Sequence, residues 1–202
     1  MSFVYPFFTT FMMIFLSELG DKTQLLILSF SSKGKSKNIL LGVAIGSFLS
    51  HGIAILFASK LASLGNITFK YYLELFTYIS FLLMGFLGFF PTFSSQDSSS
   101  QNSFLKKLVS FRLHYVFIIA ISIFIGEIGD KTFLAALGMG LQYPNYKFFL
   151  ILGSIFGMVL SNCIAIFFGK LLSKFIRQHF LEVLSNIIFI IFGLIGLINL
   201  FL

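Results

Sequence analysis

The sequence predicts an all-α integral membrane protein, with six transmembrane helices arranged as two inverted three-helix repeats. Three observations carry that expectation: the share of apolar residues, the spacing of the apolar runs, and a duplication of one half of the chain in the other. Hydrophobic residues make up 57% of the 202 positions and charged residues only 10%, with a mean hydropathy of +0.99. Soluble domains carry roughly a quarter charged residues, so the solvent this composition suits is a bilayer.

A span needs about 20 predominantly apolar residues, and the chain divides into six such runs. The first, from about Pro6 to Phe30, ends at the basic loop Ser31 to Lys37. The N-terminus lacks a basic region and no small-residue cleavage site closes this run, so it reads as a permanent helix rather than a signal peptide. The second run covers about Asn38 to Ser59 and the third about Tyr71 to Phe90. Pro91 then opens a stretch rich in Ser, Gln and Asn, which reads as a linker. The fourth, fifth and sixth runs cover about Leu113 to Leu141, Lys147 to Phe168 and Leu181 to Leu202.

The duplication is legible residue by residue. Leu41-Gly42 and Gly46 align with Leu152-Gly153 and Gly157; Leu49-Ser50-His51 aligns with Leu160-Ser161-Asn162; Leu73-Glu74, Gly85 and Gly88 align with Leu181-Glu182, Gly193 and Gly196. The predicted organisation is a first repeat over 1–91, a polar and basic cytoplasmic linker over 92–112, and a second repeat over 113–202. Three spans per repeat is an odd number, so the second copy enters the bilayer inverted, an arrangement that places equivalent segments about a pseudo-twofold axis near the midplane.

Loop charge sets the expected orientation. Lys33, Lys35 and Lys37, then Lys106, Lys107 and Arg112, then Lys170, Lys174 and Arg177 follow spans one, three and five, whereas the opposite side holds Lys60, Lys70 and Lys147. The positive-inside rule puts the first set in the cytoplasm and both termini outside. These short basic clusters account for the net charge of +7 and form no stripe of the kind that binds nucleic acid. Asn66-Ile67-Thr68 forms a sequon on the outer side. Cys163 is the single cysteine, which excludes an internal disulfide and a cysteine-rich metal site; its apolar neighbours predict an inert buried thiol.

The polar residues that remain are concentrated in one doubled phrase. Glu18-Leu19-Gly20-Asp21-Lys22-Thr23-Gln24 returns as Glu127-Ile128-Gly129-Asp130-Lys131-Thr132-Phe133, and these phrases hold Glu18, Asp21, Glu127 and Asp130, four of the seven acidic residues. A charge at membrane depth costs roughly 2.5–3.5 kcal/mol on the insertion scale, so a compensating function is expected. Residues three apart on a helix share a face, which projects Glu18 with Asp21 and Glu127 with Asp130. Four carboxylates converging at low dielectric suit a hard divalent cation such as Mn²⁺ or Ca²⁺. Once the ion leaves, their mutual repulsion favours protons in its place. Metal and protons alternating at one acidic site is the core of cation/proton antiport.

Neighbouring groups fill supporting places in that reading. Thr23, Thr132 and Gln24 add neutral oxygens. Gly20 and Gly129 allow either close helix approach or a backbone break that exposes carbonyls. Lys22 and Lys131 either pair with a carboxylate or snorkel to the interface. Ser50 and Ser161, with Ser47, Ser154 and Asn162, either line the path or make interhelical hydrogen bonds. His51, standing where the second repeat has Asn162, is a candidate proton carrier. The competing structural reading makes the acids and lysines ion pairs in a helix bundle; two copies in register, with four acids against two bases, favour function. No phosphate-binding loop and no His-Glu-x-x-His helix is present, which argues against an ATP-driven pump and a zinc protease.

Glu-x-Gly-Asp-Lys-Thr twice, on the first and fourth of six spans around a polar linker, resembles the Gdt-one family of cation/proton exchangers. The resemblance covers the whole chain. It implies a secondary transporter rather than an enzyme, exporting Mn²⁺ or Ca²⁺ from the cytoplasm against inward proton movement. It also implies that Glu18, Asp21, Glu127 and Asp130 bind the ion, with Thr23 and Thr132 supporting them. No cofactor is expected, the metal being the transported substrate. The partners are the cation, protons and the lipid bilayer, and the expected location is a bacterial plasma membrane or a thylakoid or plastid membrane.

Overall fold

The computed structural model describes residues 3–19, 21, 24, 27, 35–64, 67–89, 115–175 and 178–202. The linker over 92–112, Asn66 of the sequon and, in the first motif, Gly20, Lys22 and Thr23 lie outside the described residues. Every regular element among those described is helical.

Helix α1, Val4–Glu18, begins with Pro6 in its first turn, where the missing N–H removes no helical bond. The Thr10 hydroxyl donates to the Pro6 carbonyl, which lets a polar side chain sit buried in an apolar helix. The helix stops at Glu18 because Leu19 turns to extended geometry, with ψ at 114°; Gln24 and Ile27 are helical again. Helices α2, Ser36–Leu64, and α3, Ile67–Leu87, follow.

The fourth predicted run is not one helix. Helix α4, Tyr115–Glu127, ends on the motif glutamate, and α5, Lys131–Gln142, starts after the motif aspartate. Between them Gly129 takes φ +82°, the one positive φ among the described residues, a conformation that a side chain penalises. Asp130 then caps α5, its carboxylate accepting from the Lys131 N–H at 2.7 Å. Glu127 and Asp130 therefore stand on opposite sides of a break rather than on one helix face, because the glycine ends one helix and the aspartate begins another. A short 3₁₀ turn, Pro144–Tyr146, leads into α6, Lys147–Phe175, and α7, Gln178–Phe201, closes the chain.

Among the described residues, three helices are long and apolar enough to cross a membrane, over Ser36–Ser63, Pro144–Phe167 and Val183–Phe201; α1 and α4 are apolar but shorter. The motif breaks are what shorten them. Near the start of α3, Lys70 and Glu74 pair at 3.6 Å. Large apolar side chains including Phe48, Phe57, Phe76, Phe86 and Phe156 point outward. An apolar exterior on this scale fits lipid rather than water.

The packing is reciprocal between the halves. Helix α1 lies along α6 and α4 along α2, while α3 lies along α7 and α2 along α6. A Cβ added to Gly46 would stand 2.7 Å from the Ala120 carbonyl oxygen, and one added to Gly157 would stand 2.8 Å from that of Phe11. Ala120 and Phe11 occupy matching places before the two motif glutamates. The third helices repeat the pattern: Gly85 abuts the Asn186 carbonyl and Gly193 the Tyr78 carbonyl, again at equivalent positions. Close backbone approach through small residues is how helices associate where lipid removes the hydrophobic driving force.

Candidate functional site

The second motif builds one half of the site. Glu127, the last residue of α4, is wholly buried. The Thr132 hydroxyl, in the first turn of α5, reaches back across the break and donates to Glu127 Oε2 at 2.7 Å. His51 of α2 brings its Nε2 to 3.6 Å from the same oxygen, with both side chains fully buried. That separation exceeds a hydrogen bond. The other ring nitrogen, Nδ1, lies 3.2 Å from Ser47 Oγ one turn earlier.

The first motif builds the other half. Glu18 ends α1 and is also wholly buried, and among the described residues neither of its carboxylate oxygens has a hydrogen-bond partner. Leaving a buried polar group unpartnered costs about 1–3 kcal/mol and more when it is charged, so the fold maintains Glu18 at the expense of stability. Glu18 is within electrostatic range of Glu127, Asp21, Asp130 and Lys131, which places both motifs in one region.

Lys131 supplies positive charge there. Its Nζ lies 3.5 Å from Asp21 Oδ1 and donates to Ser185 Oγ at 2.9 Å, and the Ser185 hydroxyl donates to the Ser17 carbonyl at 3.4 Å. Of the two alternatives for this lysine, pairing is the one observed. The chain of contacts ties α5 to α7 and to α1 across the centre of the bundle. Among the described residues no three His, Cys, Asp or Glu side chains come together closely enough to hold a metal ion.

The supporting residues separate into two kinds. Gln24 Nε2 donates to Ser161 Oγ at 2.6 Å, an interhelical bond between the first motif and α6. The Ser50 and Ser154 hydroxyls and the Asn162 amide instead donate to carbonyls of their own helices, which leaves Asn162 Oδ1 without a partner among the described residues. Lys22 and Thr23 lie outside the described residues. Cys163 is free and half-buried rather than fully enclosed, since its position on α6 faces neither the core nor the exterior squarely. Ser185 and Ser17 are the contributors that sequence reasoning missed. The signal for Ser185 was its place beside Asn186 as a polar pair in an apolar run.

Sequence comparison adds an independent observation. The profile of the family described as divalent cation/proton antiporter GDT1 matches residues 6–96 and 115–201. The chain belongs to the GDT1 family. A Vibrio cholerae protein named "Putative manganese exporter" is 30% identical over 163 residues, covering 77% of this chain and 72% of that protein. No solved structure matches. The two matched GDT1 segments are separated by residues 97–114. As a GDT1 member the chain is a cation/proton antiporter of the membrane, a transporter rather than an enzyme.

Proposed function

We propose that the chain exports a divalent cation from the cytoplasm in exchange for protons, through six spans in two inverted repeats, with Glu18, Asp21, Glu127 and Asp130 as the ion-binding residues. Mn²⁺ is the first cargo to test, because the Vibrio relative is named as a manganese exporter; Ca²⁺ shares the preference for oxygen ligands. A bacterial plasma membrane is the setting in which such export fits best.

One observation carries the reading. Two glutamates at equivalent positions end two broken helices, both are fully buried, and Glu18 has no partner for its carboxylate among the described residues. Buried ionisable groups at membrane depth are retained for function far more often than for packing, and broken helices at the interface between repeats are where secondary transporters bind ions. The reciprocal glycine contacts support the pseudo-twofold arrangement. Lys131 keeps the region from carrying four uncompensated negative charges in the absence of cation.

The test is proton movement in proteoliposomes carrying a pH-sensitive dye, on addition of Mn²⁺ or Ca²⁺. Metal-dependent proton flux that disappears in Glu18→Gln/Glu127→Gln is the expected result. Metal entry without proton movement would make the protein a channel. Flux that survives the double substitution in folded protein would remove these glutamates from the site.

A further inference from the structure

The two halves of the site are not chemically equal, and we infer that His51 is a nitrogen ligand that biases the Glu127 half toward a transition-metal ion such as Mn²⁺ and away from Ca²⁺. The inference rests on the antiport reading above and extends it to ion selection.

His51 and Asn162 hold the same place in the two repeats, after Leu49-Ser50 and Leu160-Ser161. Both are fully buried. Each presents one atom without a hydrogen-bond partner among the described residues, Nε2 of His51 and Oδ1 of Asn162. One repeat therefore offers an imidazole nitrogen where the other offers an amide oxygen.

The imidazole is oriented for ligation. With the ring proton on Nδ1, donated to Ser47 Oγ at 3.2 Å, the Nε2 lone pair faces Glu127. Fixing one ring nitrogen so that the other can ligate is the usual arrangement at metal sites. The 3.6 Å between Nε2 and Glu127 Oε2 is too long for a hydrogen bond. It leaves room for one ion between two adjacent ligands: donor atoms at right angles stand about 3.3–3.7 Å apart for the longer bonds of Ca²⁺, roughly 2.3–2.6 Å, and the shorter bonds of a transition ion would draw the pair a few tenths of an ångström closer, so the distance itself does not select the ion. The Asn162 amide donates instead to the Met158 carbonyl of its own helix at 2.9 Å, which turns a hard oxygen toward its surroundings.

Ligand chemistry then sets the selectivity. Ca²⁺ is bound almost wholly by oxygen, whereas Mn²⁺, though it too prefers oxygen and stands at the weak end of the first-row series, also accepts a nitrogen ligand. A single His51–Glu127 pair does not complete a coordination sphere. The other ion-binding residues proposed above, Glu18, Asp21 and Asp130, offer oxygen, which both ions accept, so the nitrogen is what would discriminate.

The test reads ligation directly and needs no variant of His51. His114→Gln/His179→Gln leaves His51 as the only one of the three histidines. That protein, purified as the full chain, is loaded with Mn²⁺ and studied by pulsed electron paramagnetic resonance. A ¹⁴N coupling that changes to a ¹⁵N pattern on histidine labelling is expected. Absence of nitrogen coupling in metal-loaded protein overturns the inference.

Transport supplies the second reading. In His51→Asn the preference for Mn²⁺ over Ca²⁺, measured as the ratio of half-saturating concentrations in proteoliposomes, falls by roughly tenfold or more, and Asn162→His added to it restores part of the loss. An unchanged ratio in an active His51→Asn protein overturns the proposal while leaving antiport intact. If wild-type protein shows nitrogen coupling yet moves no protons with either ion, the antiport reading fails and the ligation stands.

Discussion

Thr132→Val removes one hydroxyl from the centre of the site and changes little else. Thr132 and Glu127 are both fully buried and their oxygens are 2.7 Å apart. A hydrogen bond to a charged group contributes about 1.5–3 kcal/mol, and this one supports the ionised form of Glu127, the form that a cation binds. At 1.4 kcal/mol per decade the loss weakens apparent cation affinity by roughly tenfold at the lower bound and about a hundredfold at the upper. Because Thr132 sits in the first turn of α5 and Glu127 at the end of α4, the bond also closes the backbone break. Thr132→Ser keeps the donor and is the control. The assay is the initial rate of metal-driven proton flux against Mn²⁺ concentration, with the maximal rate scored separately. The expected pattern is a raised half-saturating concentration in Thr132→Val and a nearly unchanged one in Thr132→Ser. Equal impairment of both, or no change in a folded Thr132→Val protein, would refute the reasoning.

Two further substitutions address packing and charge. Gly157→Ala and Gly46→Ala each drive a methyl against a backbone carbonyl at 2.8 and 2.7 Å, and overpacking of this kind costs about 1–3 kcal/mol. Both should lower the midpoint of thermal unfolding, followed by far-ultraviolet circular dichroism, whereas Gly52→Ala, whose nearest neighbour is the Phe48 ring at 3.6 Å, should not. Lys131→Gln removes the cation beside Asp21, so Mn²⁺ should stabilise that variant more than wild type; a tenfold gain in affinity adds about 1.4 kcal/mol at saturation. An equal or smaller Mn²⁺-induced shift in the unfolding midpoint would count against Lys131 as the internal counter-charge.

Much of this architecture was legible because lipid imposes strong rules on sequence. Runs of about 20 apolar residues located α2, α6 and α7, with α7 placed to within three residues at each end, while α2 and α6 run five and seven residues past their predicted ends. The duplicated glycines predicted close packing that the Gly85–Asn186 and Gly193–Tyr78 contacts bear out. The motif break was harder to read. Glu127 and Asp130 are three apart, and spacing alone makes them neighbours on a helix; the positive φ of Gly129 overrides the spacing. The sequence offered that glycine as either a packing residue or a break, and local geometry chose the second.

What the sequence determined by itself is the apolar, duplicated, membrane-spanning character of the chain and the identity of the acids, since these follow from composition, periodicity and repeat alone. Which groups meet was decided only by tertiary structure. His51 reaches Glu127 across 76 positions, Gln24 reaches Ser161 and Lys131 reaches Ser185. Such pairs depend on how α1, α2, α5, α6 and α7 pack, and a one-dimensional pattern records the faces of a helix but not which neighbour each face meets.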